Sequence, residues 1–315
     1  MPNSSVLNFA DPYDYQRAVH AANLQVTVAT GGTFEAELTR IKLDRLWMQR
    51  ARLSLPAITH SAVSRERSMI FLQFDPEQPP ILHSGHEVPP GDIVCYSPGS
   101  EHHYRTSTSY HCGGMSLAPE DLATMSETLA GRALAAPSVT RVIRPRPELM
   151  ARLQSLHKAA GDLAAAAPDV IEHPQVARAI EQELVRAMVA CLTDEDTEER
   201  SRSSRTRTAV MQRFEQMLEM HSGEPLYVTD ICAGIGVSER TLRLRCQDQL
   251  GVSPHRYLWL RRMNLARRAL AVADAGTITV TQVANDLGFG ELGRFAVSYR
   301  KLFGESPSAT LRRTP

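Results

Sequence analysis

The sequence predicts an α+β protein: a strand-rich N-terminal part finished by helices, then an exposed linker, then an all-helical C-terminal part. Three observations predict it. Residues 20–115 carry short aliphatic and β-branched runs cut by turn residues: VTVAT before Gly31-Gly32, SMIFLQF before DPEQPP, DIVCY before SPGS. That rhythm suits a small barrel or sandwich. After Ala118 the apolar spacing becomes helical. The stretch TDEDTEERSRSSRTRT, residues 193–208, has no apolar residue and passes from an acidic to a basic block, as an exposed linker does. The boundaries expected are 1–192, linker 193–207, and 208–315.

Each helix of the first part follows from its spacing. Leu122, Met125 and Leu129 lie on one stripe after APED, and Leu149, Leu153 and Leu156 on a second. Val176, Ile180, Leu184, Met188 and Leu192 recur every four residues after Pro174. This last stripe is core, a dimer seam, or both.

Charge is divided unevenly. The 315-residue chain has 35 Lys and Arg against 35 Asp and Glu. From Thr206 onward there are 15 basic against 10 acidic residues, net +5, which leaves −5 for the remainder. Only the basic part is expected to meet a polyanion. The five cysteines form no CxxC pair, as expected of reduced thiols in a cytoplasmic protein. No apolar run is long enough for a bilayer, and the first sixteen residues do not read as a secretory signal.

The basic part repeats itself. Thr229, Ile231, Ile235, Gly236 and Val237 recur 52 residues later as Thr281, Val283, Leu287, Gly288 and Phe289. Beyond the turn the offset is 53: Leu242, Cys246, Leu250, Gly251, Ser253 and Pro254 recur as Phe295, Tyr299, Phe303, Gly304, Ser306 and Pro307. The second copy carries one extra residue near Gly290. Each copy reads as a short helix, a glycine turn and a second helix, the helix-turn-helix arrangement. Between them, SPHRYLWLRRMNLARRALAVA reads as one helix of about 30 Å, capped by Ser253. That length nearly matches the roughly 34 Å between successive major grooves on one face of B-DNA.

Residues 208–313, with ICAGIGVSERTLRLRCQDQLGVSPHRYLWLRRMNLARRAL and VANDLGFGELGRFAVSYRKLFGESPSATLR, resemble the DNA-binding domain of the AraC/XylS family of bacterial transcription regulators. Cys246 replaces the family's usual Phe, and Leu244 stands where a second polar reader is common. Arg240, Arg243, Leu244 and Gln247 share the face of the first reading helix opposite its apolar stripe. The arginines suit guanine O6/N7 or nearby phosphates, and Leu244 suits a thymine methyl. In the second unit Arg294 aligns with Thr241, while Gly293 and Ala296 replace the two arginines. Arg300 and Lys301 suit phosphates.

PPGDIVCYSPGSEHHYRTSTS, residues 89–109, resembles the second conserved segment of cupin barrels, and about 25–190 looks like the effector-binding domain that precedes such DNA-binding units. The fold expected is therefore a cupin-like β-barrel with a helical dimerisation segment. His102, Tyr104 and Arg105 are the candidate effector contacts near the barrel mouth. His83 and His86 precede Glu87 at the wrong spacing for a cupin metal site, so no metal and no cofactor is expected. No nucleophile triad or phosphate loop stands out, and no enzyme is expected.

The resemblance implies a regulator, expected to be an activator, with promoter DNA, RNA polymerase, a small-molecule effector and a second copy of the chain as partners. A metal-dependent cupin enzyme with a DNA-binding appendage, or an architectural DNA binder, are the alternatives.

Overall fold

The structure is a computed structural model describing residues 2–194, 197–202, 205–221, 225–274 and 276–312. The chain opens with strand β1 (Asn3–Phe9) and helix α1 (Pro12–Ala18), whose N-cap Asp11 accepts from the Tyr13 amide. Next come β2 (Ala22–Val28), β3 (Ala36–Lys42), β4 (Trp47–Leu53), β5 (Ala57–Val63) and β6 (Ser68–Gln73). They are followed by β7 (Ile81–His83), β8 (His86–Val88), β9 (Ile93–Tyr96), β10 (Glu101–Arg105) and β11 (Tyr110–Leu117). Helix α2 (Pro119–Ala130), β12 (Arg141–Arg144), α3 (Pro147–Ala166), α4 (Pro168–Glu172), α5 (Pro174–Thr193) and β13 (Glu198–Arg202) complete the first part.

The strands pair antiparallel into two sheets, ordered β1-β3-β4-β11-β6-β9-β12-β13 and β2-β5-β10-β7-β8. The strand-rich α+β character is as expected, but the barrel is not closed. The two sheets instead face each other as a sandwich over Val26, Leu38, Phe71, Tyr96 and Tyr104. Its edges are blunted by other means than closure: β8 is only three residues long, and α3 and α4 cover β1.

The other face of the larger sheet supports α2, α3 and α5 across Met48, Leu72, Leu153 and Leu184. Central strands covered on both faces lose the clean alternation of a half-exposed strand; β9 reads IVCY and is buried throughout. The five-residue stripe of α5 is spent here. Leu184 and Met188 are core, Ile180 and Leu192 pack against it partly buried, and Val176 is half-buried.

Five residues of the stretch read as a linker, Glu198–Arg202, form β13 against β12. Residues 195–196 and 203–204 of that stretch lie outside the described residues. Helix α6 (Arg205–Met220) begins three residues before position 208. Then come α7 (Val228–Ile235), α8 (Glu239–Leu250), α9 (Pro254–Val272), α10 (Val280–Asp286), α11 (Leu292–Phe303) and α12 (Pro307–Arg312). One core joins them: Phe214, Ile231, Leu242, Tyr257, Met263, Ala284, Phe295 and Tyr299. Ile58 of β5 belongs to that same core, so the outer face of the smaller sheet is the seat of the helical part. Among the described residues no helix is long and apolar enough to cross a membrane.

Two histidines of the N-terminal part, His83 of β7 and His157 of α3, are buried as neutral rings. Burial pulls His83 and His157 down from 6.5 to about 3, with charge from His86 and Arg50 respectively adding to the effect. A histidine lowered in the folded state binds its proton first in the unfolded chain, so stability falls as pH drops below 6.5. The slope is about 1.4 kcal/mol per pH unit for each such ring. Urea unfolding at about pH 7 and pH 5 should show the loss, and His157→Phe should flatten the slope by about one ring's share.

Candidate nucleic-acid interface

The first helical unit is α7, a turn at Gly236, and α8. Ser238 caps α8 by accepting from the Thr241 amide at 3.1 Å, and Gly251 ends it with φ 66°, a left-handed conformation that favours glycine. Leu242, Cys246 and Leu250 point into the core with no exposure. Their stripe leaves Arg240, Arg243, Leu244 and Gln247 exposed on the far side, with Leu244 at 54 %. Thr241 is half-buried, and Arg245 turns to Asp248 at 3.6 Å.

The second unit repeats the design. Thr279 and Gln282 form a reciprocal capping box at the start of α10, and Gly304 closes α11 with φ 74°. Phe295, Tyr299 and Phe303 are buried. Arg294, Arg300 and Lys301 are exposed, and Arg294 donates to Glu291 at 2.8 Å, so its guanidinium already has a carboxylate partner. Val297, 70 % exposed, is the large apolar residue of this outer face. Between the units the 19-residue α9 turns Tyr257, Leu260, Met263 and Leu270 to the shared core.

Residues 231–313 match a helix-turn-helix domain family. Over 98 residues the chain is 43% identical to the probable thc operon regulatory protein of Rhodococcus erythropolis, covering 31% of this chain and 30% of that protein. Over 77 residues it is 40% identical to XylDLEGF operon transcriptional activator 1 of Pseudomonas putida, covering 24% of this chain and 23% of that one. The C-terminal segment is a helix-turn-helix domain of the AraC/XylS type. The chain thus spans under a third of the length of these relatives. Among solved structures it is similar to the AraC-like transcriptional activator CuxR, at TM-score 0.40 and 16% identity over 90% of this chain and 100% of that one. A probable AraC family transcriptional regulator from Rhodopseudomonas palustris is 34% identical over 33% of this chain and 95% of that one, at TM-score 0.30.

The AraC-type domain is docked on the smaller sheet through a buried polar cluster that sequence reasoning missed. Glu215 of α6, 1 % exposed, accepts from His103 Nε2 at 2.8 Å, Tyr257 Oη at 2.9 Å and Arg261 Nη1 at 3.2 Å. Burial alone would raise this carboxyl. The hydrogen bond from His103 and the charges of His103, His60 and Arg261 more than offset it and hold the group at about 2. Further along α9, Asn264 accepts from the Val28 amide at 3.2 Å and donates to the Val28 carbonyl at 3.3 Å, Arg267 pairs with Asp11 at 3.1 Å, and Arg268 stacks on Tyr13 at 3.9 Å. The signal in the sequence was Glu215 itself, a carboxylate on the apolar stripe of Met211, Phe214 and Leu218.

Of the three expected effector contacts, two face inward. His102 and Tyr104 line a space of about 50 Å³ between the sheets, with Ser61, Tyr96 and Cys112. His102 stacks on Tyr96 at 4.2 Å, and burial followed by the charge of His83 lowers its pKa well below 6.5. Arg105 lies on the opposite face of β10, because successive side chains of a strand alternate. It donates to the Gly251 carbonyl at 2.7 Å instead of facing the interior. A larger space, about 460 Å³, lies between α1, β2, α6 and α9. Among the described residues no three His, Cys, Asp or Glu gather as a metal site would need.

Core and outer face of α8 should respond differently to truncation. Leu242→Ala removes a fully buried side chain and should cost about 2 to 5 kcal/mol of unfolding free energy. Leu244→Ala on the exposed face should stay within about 0.5 kcal/mol. Denaturant melts of both variants check this.

Proposed function

We propose that the protein is a cytoplasmic, sequence-specific DNA-binding transcription regulator that acts as an activator and is not an enzyme. The observation that carries this reading is the pair of capped helix-turn-helix units joined by one rigid helix, each keeping its outer face exposed. The relatives support it, since those named above are an operon regulatory protein and an operon transcriptional activator. Arg240, Arg243, Leu244 and Gln247, with Thr241 at the edge, form the base-reading set of the first unit. Arg300 and Lys301 hold phosphate, and Arg294 reads only by leaving Glu291.

The N-terminal sandwich is the effector-responsive part. Its interior space of about 50 Å³ is far below the 300 to 1,000 Å³ of ordinary ligand sites, so an effector there must part the sheets. RNA polymerase and a second copy of the chain are the further partners of this reading. The buried α5 stripe argues that the copies meet elsewhere: Leu184 is 1 % exposed, and Leu184→Glu would unfold the chain before it released a subunit.

The test is binding of the full chain to a duplex selected from random sequence, against unselected duplex, over a salt series. Arg240→Ala and Arg243→Ala should each lose about 1 to 3 kcal/mol on the selected duplex and much less on the other. Arg300→Ala and Lys301→Ala should weaken both duplexes equally and reduce the salt slope. Equal affinity of the unaltered chain for both duplexes would instead favour an architectural binder.

A further inference from the structure

We propose that Arg105, a residue of the N-terminal sandwich remote from the exposed reading face, is a positioning residue for DNA reading by α8. This rests on the regulator reading above. Strand β10 presents its side chains alternately: His102 and Tyr104 into the sandwich, His103 and Arg105 against the helical domain. Arg105 Nη1 donates to the Gly251 carbonyl at 2.7 Å, at the C-terminal end of α8. A guanidinium there complements the negative pole of the helix, and the charge-assisted bond is short.

Two neighbours make this a seat. Gly85, in the turn between β7 and β8, brings its backbone against the Asp248 carbonyl of the same last turn; a Cβ placed there would lie 3.4 Å from that oxygen. Gln249, also in that turn, is buried. The sandwich therefore grips α8 at its C-terminal end and leaves the N-terminal turns, with Arg240 and Arg243, free.

Leverage gives the contact its effect. Twelve residues make α8 about 18 Å long, and a tilt of about 5° at the gripped end moves the other by about 1.5 Å. That displacement separates a formed hydrogen bond from a broken one. The same strand supplies the wall of the interior space, so a molecule that parts the sheets against His102 and Tyr104 acts on α8 through Arg105. The link is one strand thick.

The experiment uses the full chain and a duplex it has selected, with single base-pair substitutions placed in the segment read by α8 and in the segment read by α11. Arg105→Ala should weaken binding of the selected duplex about tenfold. The penalties for substitutions under α8 should shrink while those under α11 remain, and the salt slope should not change, because Arg105 touches no phosphate. Arg105→Lys, which keeps one cationic donor, should recover part of the discrimination. Thermal melting of each variant accompanies the titration. A loss of melting temperature with unaltered base penalties overturns the proposal in favour of simple adhesion between domains, and a reduced salt slope overturns it in favour of a phosphate contact. If the unaltered chain selects no duplex at all, the regulator reading fails before Arg105 is tested.

Discussion

A single buried carboxylate fixes the register in which the two domains dock. Glu215 sits between two domains and receives hydrogen bonds from both: His103 from the sandwich, Tyr257 and Arg261 from the helical part. Desolvating an unpaired carboxylate would cost several kcal/mol, so its partners are obligatory, and His103 reaches it only if the sheet and α6 meet in one register. Its contribution is better described as fixing where the domains dock than as adding stability. Apolar contact at Ile58 and the α9 bonds to Val28 and Asp11 then follow from the same alignment.

The smaller sheet works on both faces because of the two-residue period of its strands. One face closes the sandwich over a nearly filled interior, and the other carries the DNA-binding domain. His60 and His103, paired across β5 and β10 and stacked at 4.9 Å, belong to the outer face; Ser61 and His102, the next pair, belong to the inner one. Three of the α9 arginines, Arg261, Arg267 and Arg268, are committed to this docking, so the basic excess of the C-terminal part overstates the charge free to meet a polyanion.

Much of this was legible in the sequence where one rule governed a whole stretch. The 52- and 53-residue offsets gave both helix-turn-helix units, and the stripe of Leu242, Cys246 and Leu250 gave the buried face of α8 because no other force competed there. The reading stopped where two surfaces had to be known at once. Of the three residues expected as effector contacts near the mouth, His102 and Tyr104 line the interior space, whereas alternation along β10 turns Arg105 outward. Barrel closure was expected from strand rhythm, but rhythm does not say whether edge strands meet. Residues 198–202, polar enough to read as linker, form an edge strand, where polarity is also acceptable. Glu215 was visible as a charge on an apolar stripe, yet its partners lie 112, 42 and 46 residues away.

On the proposed function, the helix-turn-helix domain reads DNA while still docked through Glu215. A double-mutant cycle between His103 and Glu215, using His103→Ala and Glu215→Ala in the full chain, measures the coupling across the domain boundary by denaturant unfolding, with and without the selected duplex. Coupling of at least about 1 kcal/mol, of similar size in both conditions, is the result this account predicts. Coupling near zero without DNA, or coupling that disappears when the duplex is added, would contradict it.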